Sequence, residues 1–404
     1  MNNPSLTSRR QFLTLLGGAA AGSLATYGYL HWFALDTSWH YLLPYYHFAT
    51  RSNIVVVNGR RALLSAKIYP GTYVRDAIFW GPLGLDDPQL GYECYQWFAE
   101  SPLETGQIRS AVPLTPEEVA LLTPQDDEGT LLFIIASNWL AQQGFAIDRE
   151  TVEHAYTWVQ THVVDDFYVS PPGPFRYWAD TVAPDRDEVI SHNQGLLCLA
   201  RRAMQQMGFG GVTEAAVTAV QTQYRALYNS QENYLPLGKY SNFAAAQDTS
   251  ALFPEFLSRY LHQEPILSDE MVANTVQRLT HTALVHDYTG QLAGIKVICD
   301  ADGEFLPPEW YHVPEINTPG EYQNGGYWPL YGLVALALGY AVSGKRPYAR
   351  MIGQLITYEL ATDPRSKEIM RMADGQVGVF DPGRTNYTWN ALIPTACRWC
   401  GLTA

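Results

Sequence analysis

Positive charge is scarce in this chain. Lys and Arg number 26 against 40 Asp and Glu, for a formal net charge of -14, and the basic residues are spread without a visible stripe. Phosphate backbones are gripped by clustered Lys and Arg, so this balance argues against a nucleic-acid partner. Cysteine is sparse as well. Five residues, Cys94, Cys198, Cys299, Cys397 and Cys400, make an odd count that is no small-domain disulfide framework. CRWC at residues 397–400 has neither a second CxxC nor a nearby histidine pair, so it reads as buried thiols rather than as a zinc or redox site. P-loop, GxGxxG, HExxH and GxSxG motifs are all missing, which leaves nucleotide, dinucleotide, zinc-protease and hydrolase-elbow chemistry without support. Nothing calls for a metal or a cofactor. A flexible linker, a shift in composition and an exact repeat are missing too, so residues 38–404 read as one domain with a large core.

Long uncharged runs are rare, and the longest comes first. SRRQFL at residues 8–13 leads into an apolar, Gly- and Ala-rich run that carries no charge until Asp36. Paired arginines before such a run resemble a twin-arginine export signal, so residues 1–37 read as that signal or as an N-terminal membrane anchor. Residues 12–35 are long enough to span a bilayer and no sharp A-x-A cleavage site follows. Either way the domain is expected outside the cytoplasm, in the periplasm, cell envelope or medium, with the twin-arginine export machinery as a partner.

The composition is rich in aromatics, with 11 Trp, 26 Tyr and 15 Phe, and only 16% charged. This balance suits proteins that stack sugar rings. Residues 53–69 alternate and turn at Asn58-Gly59 like a β-hairpin. Thereafter helical periodicity covers 87–100, 126–143, 149–163, 192–207, 212–228, 250–261, 268–281, 328–342, 347–361 and 388–399. The stretch 321–344, EYQNGGYWPLYGLVALALGYAVSG, organises the rest: a polar and aromatic turn feeds directly into a helix apolar enough to be buried. Asn324, Gly325 and Gly326 suit positive φ, and Pro329 suits a first helical turn.

Four loop motifs put carboxylates beside aromatics at helix ends: YVRDAIFW (73–80), QDDEGT (125–130), FRYWADT (175–181) and EYQNGG (321–326). If helices alternate inward and outward in an (α/α)₆ barrel, every second connection falls at one end and these loops converge on one pocket. A sugar could lie there with its apolar faces on Trp80, Trp178, Tyr327 or Trp328 and its hydroxyls on Gln323 or Asn324. Each of these rings is equally suited to the core. Asp126 and Asp127 read as substrate-holding groups or helix caps, and His192 in SHNQG as a ligand contact.

The order of these motifs resembles the six-hairpin glycosidases, most closely the alkaline/neutral invertases and the related α-glucosidases and trehalases. The matching residues are Arg75-Asp76, Asp126-Asp127, Asp180 followed by His192-Asn193-Gln194-Gly195, Asn324-Gly325-Gly326 with Trp328-Pro329, and Thr388-Trp389-Asn390-Ala391. The resemblance implies an all-α (α/α)₆ toroid with a small β-hairpin near its start. It also implies a glycoside hydrolase acting on a carbohydrate, with inversion at the anomeric carbon. It places the general acid at Asp180, where Tyr177 and Trp178 would raise the carboxyl pKa by desolvation. The base falls at Glu368 or at Glu321. Glu368 departs from the family context: Ile369 and Met370 follow it, the Asp374-Gly375 turn comes late, and alignment on that turn leaves Arg371 at the base position. Arg75 and Asp76 are expected to ion-pair and hold a sugar hydroxyl, and Gln194 to line the site. Two alternatives stand beside the hydrolase. One is a non-catalytic glycan-binding or envelope scaffold of the same fold; the other is a polysaccharide lyase using Tyr311-His312, or Tyr73 with Arg75.

Overall fold

A computed structural model describes residues 39–402, apart from 70, 115–125, 262–263, 364, 374–376 and 381–384. The leader 1–37 and the Asp374-Gly375 turn lie outside the described residues. Twelve α-helices follow in order: α1 (Leu43–Arg51), α2 (Gly81–Leu85), α3 (Pro88–Ala99), α4 (Glu128–Gln142), α5 (Arg149–Gln160), α6 (Ser191–Met207), α7 (Glu214–Ala226), α8 (Phe253–Tyr260), α9 (Asp269–Thr282), α10 (Pro329–Ser343), α11 (Arg346–Thr362) and α12 (Leu392–Trp399).

Two concentric rings result. The inner ring runs through the π-helix Arg75–Trp80 with α2, then α4, α6, α8, α10 and α12, each touching the next and α12 closing onto α2. Burial explains the choice of inner helices: α4 is buried from Glu128 to Leu140 and α10 from Pro329 to Gly339, which suits helices apolar on every side. The outer helices α3, α5, α7, α9 and α11 bury one stripe each, and α1, which the sequence pattern had not marked, completes the outer ring against the segment 388–391. This is the expected (α/α)₆ toroid.

Connections from an inner helix to its outer partner are short, whereas those leading back inward, 52–74, 100–127, 161–190, 227–248, 283–328 and 363–387, are long. The long ones all gather where the inner helices begin. Among them is the expected hairpin, β1 (Ile54–Val57) paired antiparallel with β2 (Arg60–Leu63), whose Asn58 and Gly59 both take positive φ as a two-residue turn requires. Five further two-stranded antiparallel pairs stiffen the same end among the described residues. Two expected helices begin as 3-10 turns, Thr249–Leu252 before α8 and Thr388–Ala391 before α12.

Side-chain capping is confined to outer helices, although the outer α1 and α11 lack it too. Side chains of Asp87, Asp148, Thr213 and Ser268 cap α3, α5, α7 and α9. The N-cap residues of α4, α6, α8, α10 and α12 supply no such bond, so the inner N-termini face the gathered loops with their dipoles. Four cysteines are buried and Cys400 half-buried, all free, as the buried-thiol reading expects.

Candidate functional site

Each inner segment delivers one or two side chains to the axis from its first turn: Arg75 and Asp76, Glu128, His192, Ser250 with Asp248 just before it, Tyr331, and Trp389. The π-helix re-aims the first of these, a distortion that often marks functional sites. Arg75 donates from Nε and Nη2 to Glu128 Oε2, with Nε at 2.9 Å, and its Nη2 lies 3.8 Å from Asp126. Its guanidinium also rests 5.8 Å from the Trp80 ring and 5.9 Å from the Trp389 ring. Glu128 Oε1 meets His192 Nε2 at 2.9 Å, and His192 Nδ1 meets the Ser250 carbonyl at 2.9 Å. A carbonyl can only accept, so Nδ1 carries a proton. Burial would push the Glu128 carboxyl up, but Arg75 and His192 outweigh it and hold it below its ordinary range.

The other axial carboxyls behave oppositely. Asp76 accepts from Ser65 Oγ at 2.7 Å, and burial, assisted by the nearby Glu368 and Glu128, pushes it up to about 7. The expected Arg75–Asp76 ion pair does not form, because the arginine turns to Glu128. Asp248, held by the Ser250 N–H and hydroxyl at 2.7 Å each, is raised by burial to about 6.

Asp180 stands above this floor in the loop before α6. Gln323 Nε2 donates to its Oδ1 at 2.8 Å, and the Tyr322 hydroxyl reaches the same oxygen at 3.5 Å. Gln323 is itself fixed, its Oε1 accepting from the Thr181 N–H at 3.0 Å and its backbone N–H bonding Asn317. Phe175 N–H closes the loop onto the Asp180 carbonyl at 2.9 Å. Phe175 and Tyr322 have φ of +63° and +40°, while the other non-glycine residues at positive φ among the described residues are all Asn or Asp. Bulky side chains in this region cost on the order of 1–3 kcal/mol each. Both strained residues contact Asp180, Phe175 at its backbone carbonyl and Tyr322 at its carboxyl.

Glu368 is buried in the loop after α11, with Tyr69 donating to Oε2 at 3.1 Å. Its backbone is anchored from behind: Asn390 Nδ2 bonds the Lys367 carbonyl, Glu359 Oε1 accepts the Lys367 N–H at 3.0 Å, and Tyr46 on α1 donates to Glu359 Oε2 at 2.6 Å. Met370 pairs with Tyr327 through reciprocal backbone bonds of 2.8 and 2.9 Å, joining this strand to the NGG turn. Aromatic rings run from one carboxyl to the other. Tyr69 meets Tyr387 (5.9 Å), Tyr387 meets Trp389 (4.8 Å), Trp389 meets Trp328 (5.6 Å), Trp328 meets Tyr322 (5.5 Å), and Tyr322 reaches Asp180. Glu321 is outside this arc and ion-paired with Arg371 at 2.7 Å.

The toroid aligns with solved structures along nearly its whole length. A GH63 mannosylglycerate hydrolase from Thermus thermophilus, in complex with Tris and D-glycerate, matches with a TM-score of 0.59 and 12% identity, covering 89% of this chain and 99% of that one. The fold is that of the six-hairpin glycosidases. A wild-type glycosidase matches with a TM-score of 0.58 and 12% identity over 91% of this chain and 98% of that one, and a variant of a glycosidase in complex with glucose with 0.58 and 13% over the same shares. Neither a protein-family model nor a curated protein sequence matches.

In this six-hairpin frame several expected contacts need correction. Gln194 is fully buried and spent on the Tyr168 N–H and the Asp166 and Val220 carbonyls, so it braces α6. Asn324 is spent on Leu306 and Asn317, so it shapes the turn. Positive φ in that turn belongs to Tyr322 and Gly325, not to Asn324 or Gly326. Tyr327 and Trp80 lie in the core with no exposed face for stacking. Trp178 and Tyr177 form the buried floor beside Ser250 and Asp248 rather than a cage around Asp180. Asp126, not Asp127, serves the start of α4, its Oδ1 accepting from the Gly129 N–H at 2.7 Å. Asp127 faces Arg176 at 3.7 Å and is raised by burial to about 7. The sequence reading missed Glu128, Asp248, Tyr69, Tyr322 and Tyr331.

Proposed function

We propose that this chain is a glycoside hydrolase in which Asp180 protonates the leaving glycosidic oxygen and Glu368 activates water, with inversion. The observation that carries this reading is the pair of bulky residues at positive φ, Phe175 and Tyr322, the first bonded to the Asp180 carbonyl and the second reaching its carboxyl. Strain of this kind persists where a side chain's position matters more than stability. Glu368 supports the reading from the other end of the aromatic arc, next to Asp76 and under Tyr69. Glu321 is the less suited base, since the Arg371 guanidinium 2.7 Å away occupies its carboxylate and competes with water for it. The Arg75–Glu128–His192 floor would hold sugar hydroxyls, with Asp76 and Asp248 accepting from them.

Support against the lyase reading comes from Tyr311, which is buried, bonded to the Gln323 carbonyl and driven well above its ordinary pKa by burial. Arg75 is committed to Glu128 and does not serve Tyr73. We place the protein outside the cytoplasm on the strength of the leader at residues 1–37.

The test uses purified protein with α- and β-linked glucosides and mannosides, mannosylglycerate among them, following released sugar by reducing-end assay and its anomer by proton NMR. Asp180→Asn and Glu368→Gln should each lower kcat by about 10²- to 10⁴-fold, the range for general acid or base groups, while sugar binding persists. Undiminished turnover in either variant removes that residue from its role. A scaffold protein would release nothing, and a lyase would release an unsaturated product absorbing in the ultraviolet.

A further inference from the structure

The 3-10 turn Trp39–Leu42 and the helix α1 that continues it present two opposed faces. Trp39, Leu43, Tyr46 and Thr50 point inward at helical spacing and are buried, with Tyr46 reaching Glu359 behind the Glu368 strand. On the opposite side Tyr41, Tyr45 and Phe48, spaced four and three residues apart, are 81%, 49% and 73% exposed. Five of the eight large hydrophobic residues left exposed among the described residues fall between positions 41 and 68, Val56 and Ile68 being the other two. That concentration on one short stretch calls for an occupant.

Charge and chain length identify it. No Asp or Glu occurs between Asp36 and Asp76 in a chain that carries 40 of them, while Arg51 and Lys67 are exposed in that interval. An acid-free, aromatic stretch whose Arg51 and Lys67 are exposed, while Arg60 and Arg61 of the hairpin are paired to Glu100, Glu93 and Asp87, matches the headgroup layer of an anionic bilayer, where Tyr and Trp concentrate. The uncharged run at residues 12–35 would extend about 36 Å as a helix, enough for a hydrocarbon core of about 30 Å. From residue 35 to Trp39 the chain reaches about 14 Å at most. A retained anchor therefore delivers α1 to the interface, where amphipathic helices sink their apolar face by roughly 5–10 Å.

We propose that the Tyr41–Tyr45–Phe48 face of this turn and α1 sits in the lipid headgroup layer, so that the toroid is docked on the membrane rather than tethered loosely above it. The inference rests on the leader being kept as an anchor, and it is independent of the hydrolase assignment.

The test takes the full chain with Cys400→Ser, expressed in a bacterial host. Fractionation comes first: retention in the membrane after a carbonate wash is expected, and a cleaved, soluble chain overturns the proposal while leaving the hydrolase reading intact. Tyr45→Cys and, separately, Phe48→Cys are then spin-labelled in nanodiscs of phosphatidylethanolamine and phosphatidylglycerol. Tyr288→Cys, at a position 91% exposed elsewhere on the protein, is the control. Collision with oxygen should dominate at 45 and 48, and collision with a water-soluble nickel chelate at 288. Nickel dominance at 45 and 48 overturns the proposal in favour of open solvent. Exclusion of both reagents overturns it in favour of a protein partner, a second copy or the leader itself.

Discussion

Replacing Asp76 by Asn should stabilise the protein at high pH and leave it unchanged at low pH. Asp76 is 2% exposed, bonded at Oδ2 to Ser65, and Oδ1 has no partner among the described residues. Burial is the main cause of its rise to about 7, with Glu368 and Glu128 adding to it and Ser65 and Arg75 opposing it. Its ordinary value in an unfolded chain is about 3.9, so the difference is roughly three units, each worth about 1.4 kcal/mol. Between those two values the folded protein keeps a proton that the unfolded chain has released. The stabilisation from this raised group is therefore complete below about pH 4 and is lost as pH climbs through 7, a total of about 4 kcal/mol. Asn cannot ionise and escapes that loss, and its amide can still accept from Ser65. Urea unfolding of both proteins at pH 4, 5, 6, 7 and 8 measures the effect. The stability of the Asn variant minus that of the parent should start near zero and rise by up to about 1.4 kcal/mol per pH unit before levelling off. Activity should fall in the same variant, because the carboxylate would be lost from beside Glu368. A difference that is flat, or that shrinks as pH rises, refutes the claim that Asp76 is held protonated by burial.

Three further outcomes follow from the same geometry. Glu321→Gln should leave kcat nearly unchanged, since its carboxylate serves Arg371; a loss comparable to that of Glu368→Gln, of about 10²-fold or more, would move the base to Glu321. Glu128→Gln strips the buried partner from Arg75 and His192 and should cost about 3–5 kcal/mol in urea unfolding, and a cost below about 1 kcal/mol would mean the network contributes little. Gly326→Ala sets a Cβ 2.3 Å from the Tyr322 carbonyl, a backbone atom that cannot rotate away, so the turn must shift. Stability should drop by roughly 1–3 kcal/mol and kcat should fall through the displaced grip on Asp180; unaltered kinetics would uncouple the turn from the acid.

Periodicity made most of the toroid legible. The expected helix at 328–342 is Pro329–Ser343, because an apolar run bounded by Pro and Gly specifies its own length, whereas that at 149–163 ends three residues early at Gln160, with no Pro or Gly to mark its stop. Helix α1 escaped because its exposed face carries Tyr45 and Phe48 where an amphipathic helix would be polar, while its buried stripe includes Thr50, which blurs the amphipathic signal. The site was harder for a different reason. Arg75 and Glu128 are 53 residues apart and Glu128 and His192 are 64 apart, and no local pattern encodes such pairs. Glu128 at a first helical turn looks like an ordinary dipole-matched acid, and Asp248 in AQDTS looks like an ordinary cap. Gln194 and Asn324 erred in the other direction, since a buried amide with every bond satisfied has the same letter as one facing a ligand.

The division of labour within the site follows from where each carboxyl hangs. The inner segments begin where the long loops gather, and helix N-termini stabilise negative charge. That field suits groups that accept hydrogen bonds from a ligand, and it is compensated at Asp76 and Asp248 only by deep burial. A proton donor needs a different address. In the proposed mechanism that group is Asp180, in a loop ten residues ahead of Ile190, where the Gln323 amide donates to it and the Tyr322 phenol reaches it. Glu368 likewise follows α11 on an extended stretch braced by Lys367, Glu359 and Tyr46. Substitutions at the inner helix ends should therefore register chiefly in KM, and those in the two loops chiefly in kcat. A scaffold that only bound glycans would have no need of the second set, and so no reason to strain Phe175 and Tyr322 in order to hold it.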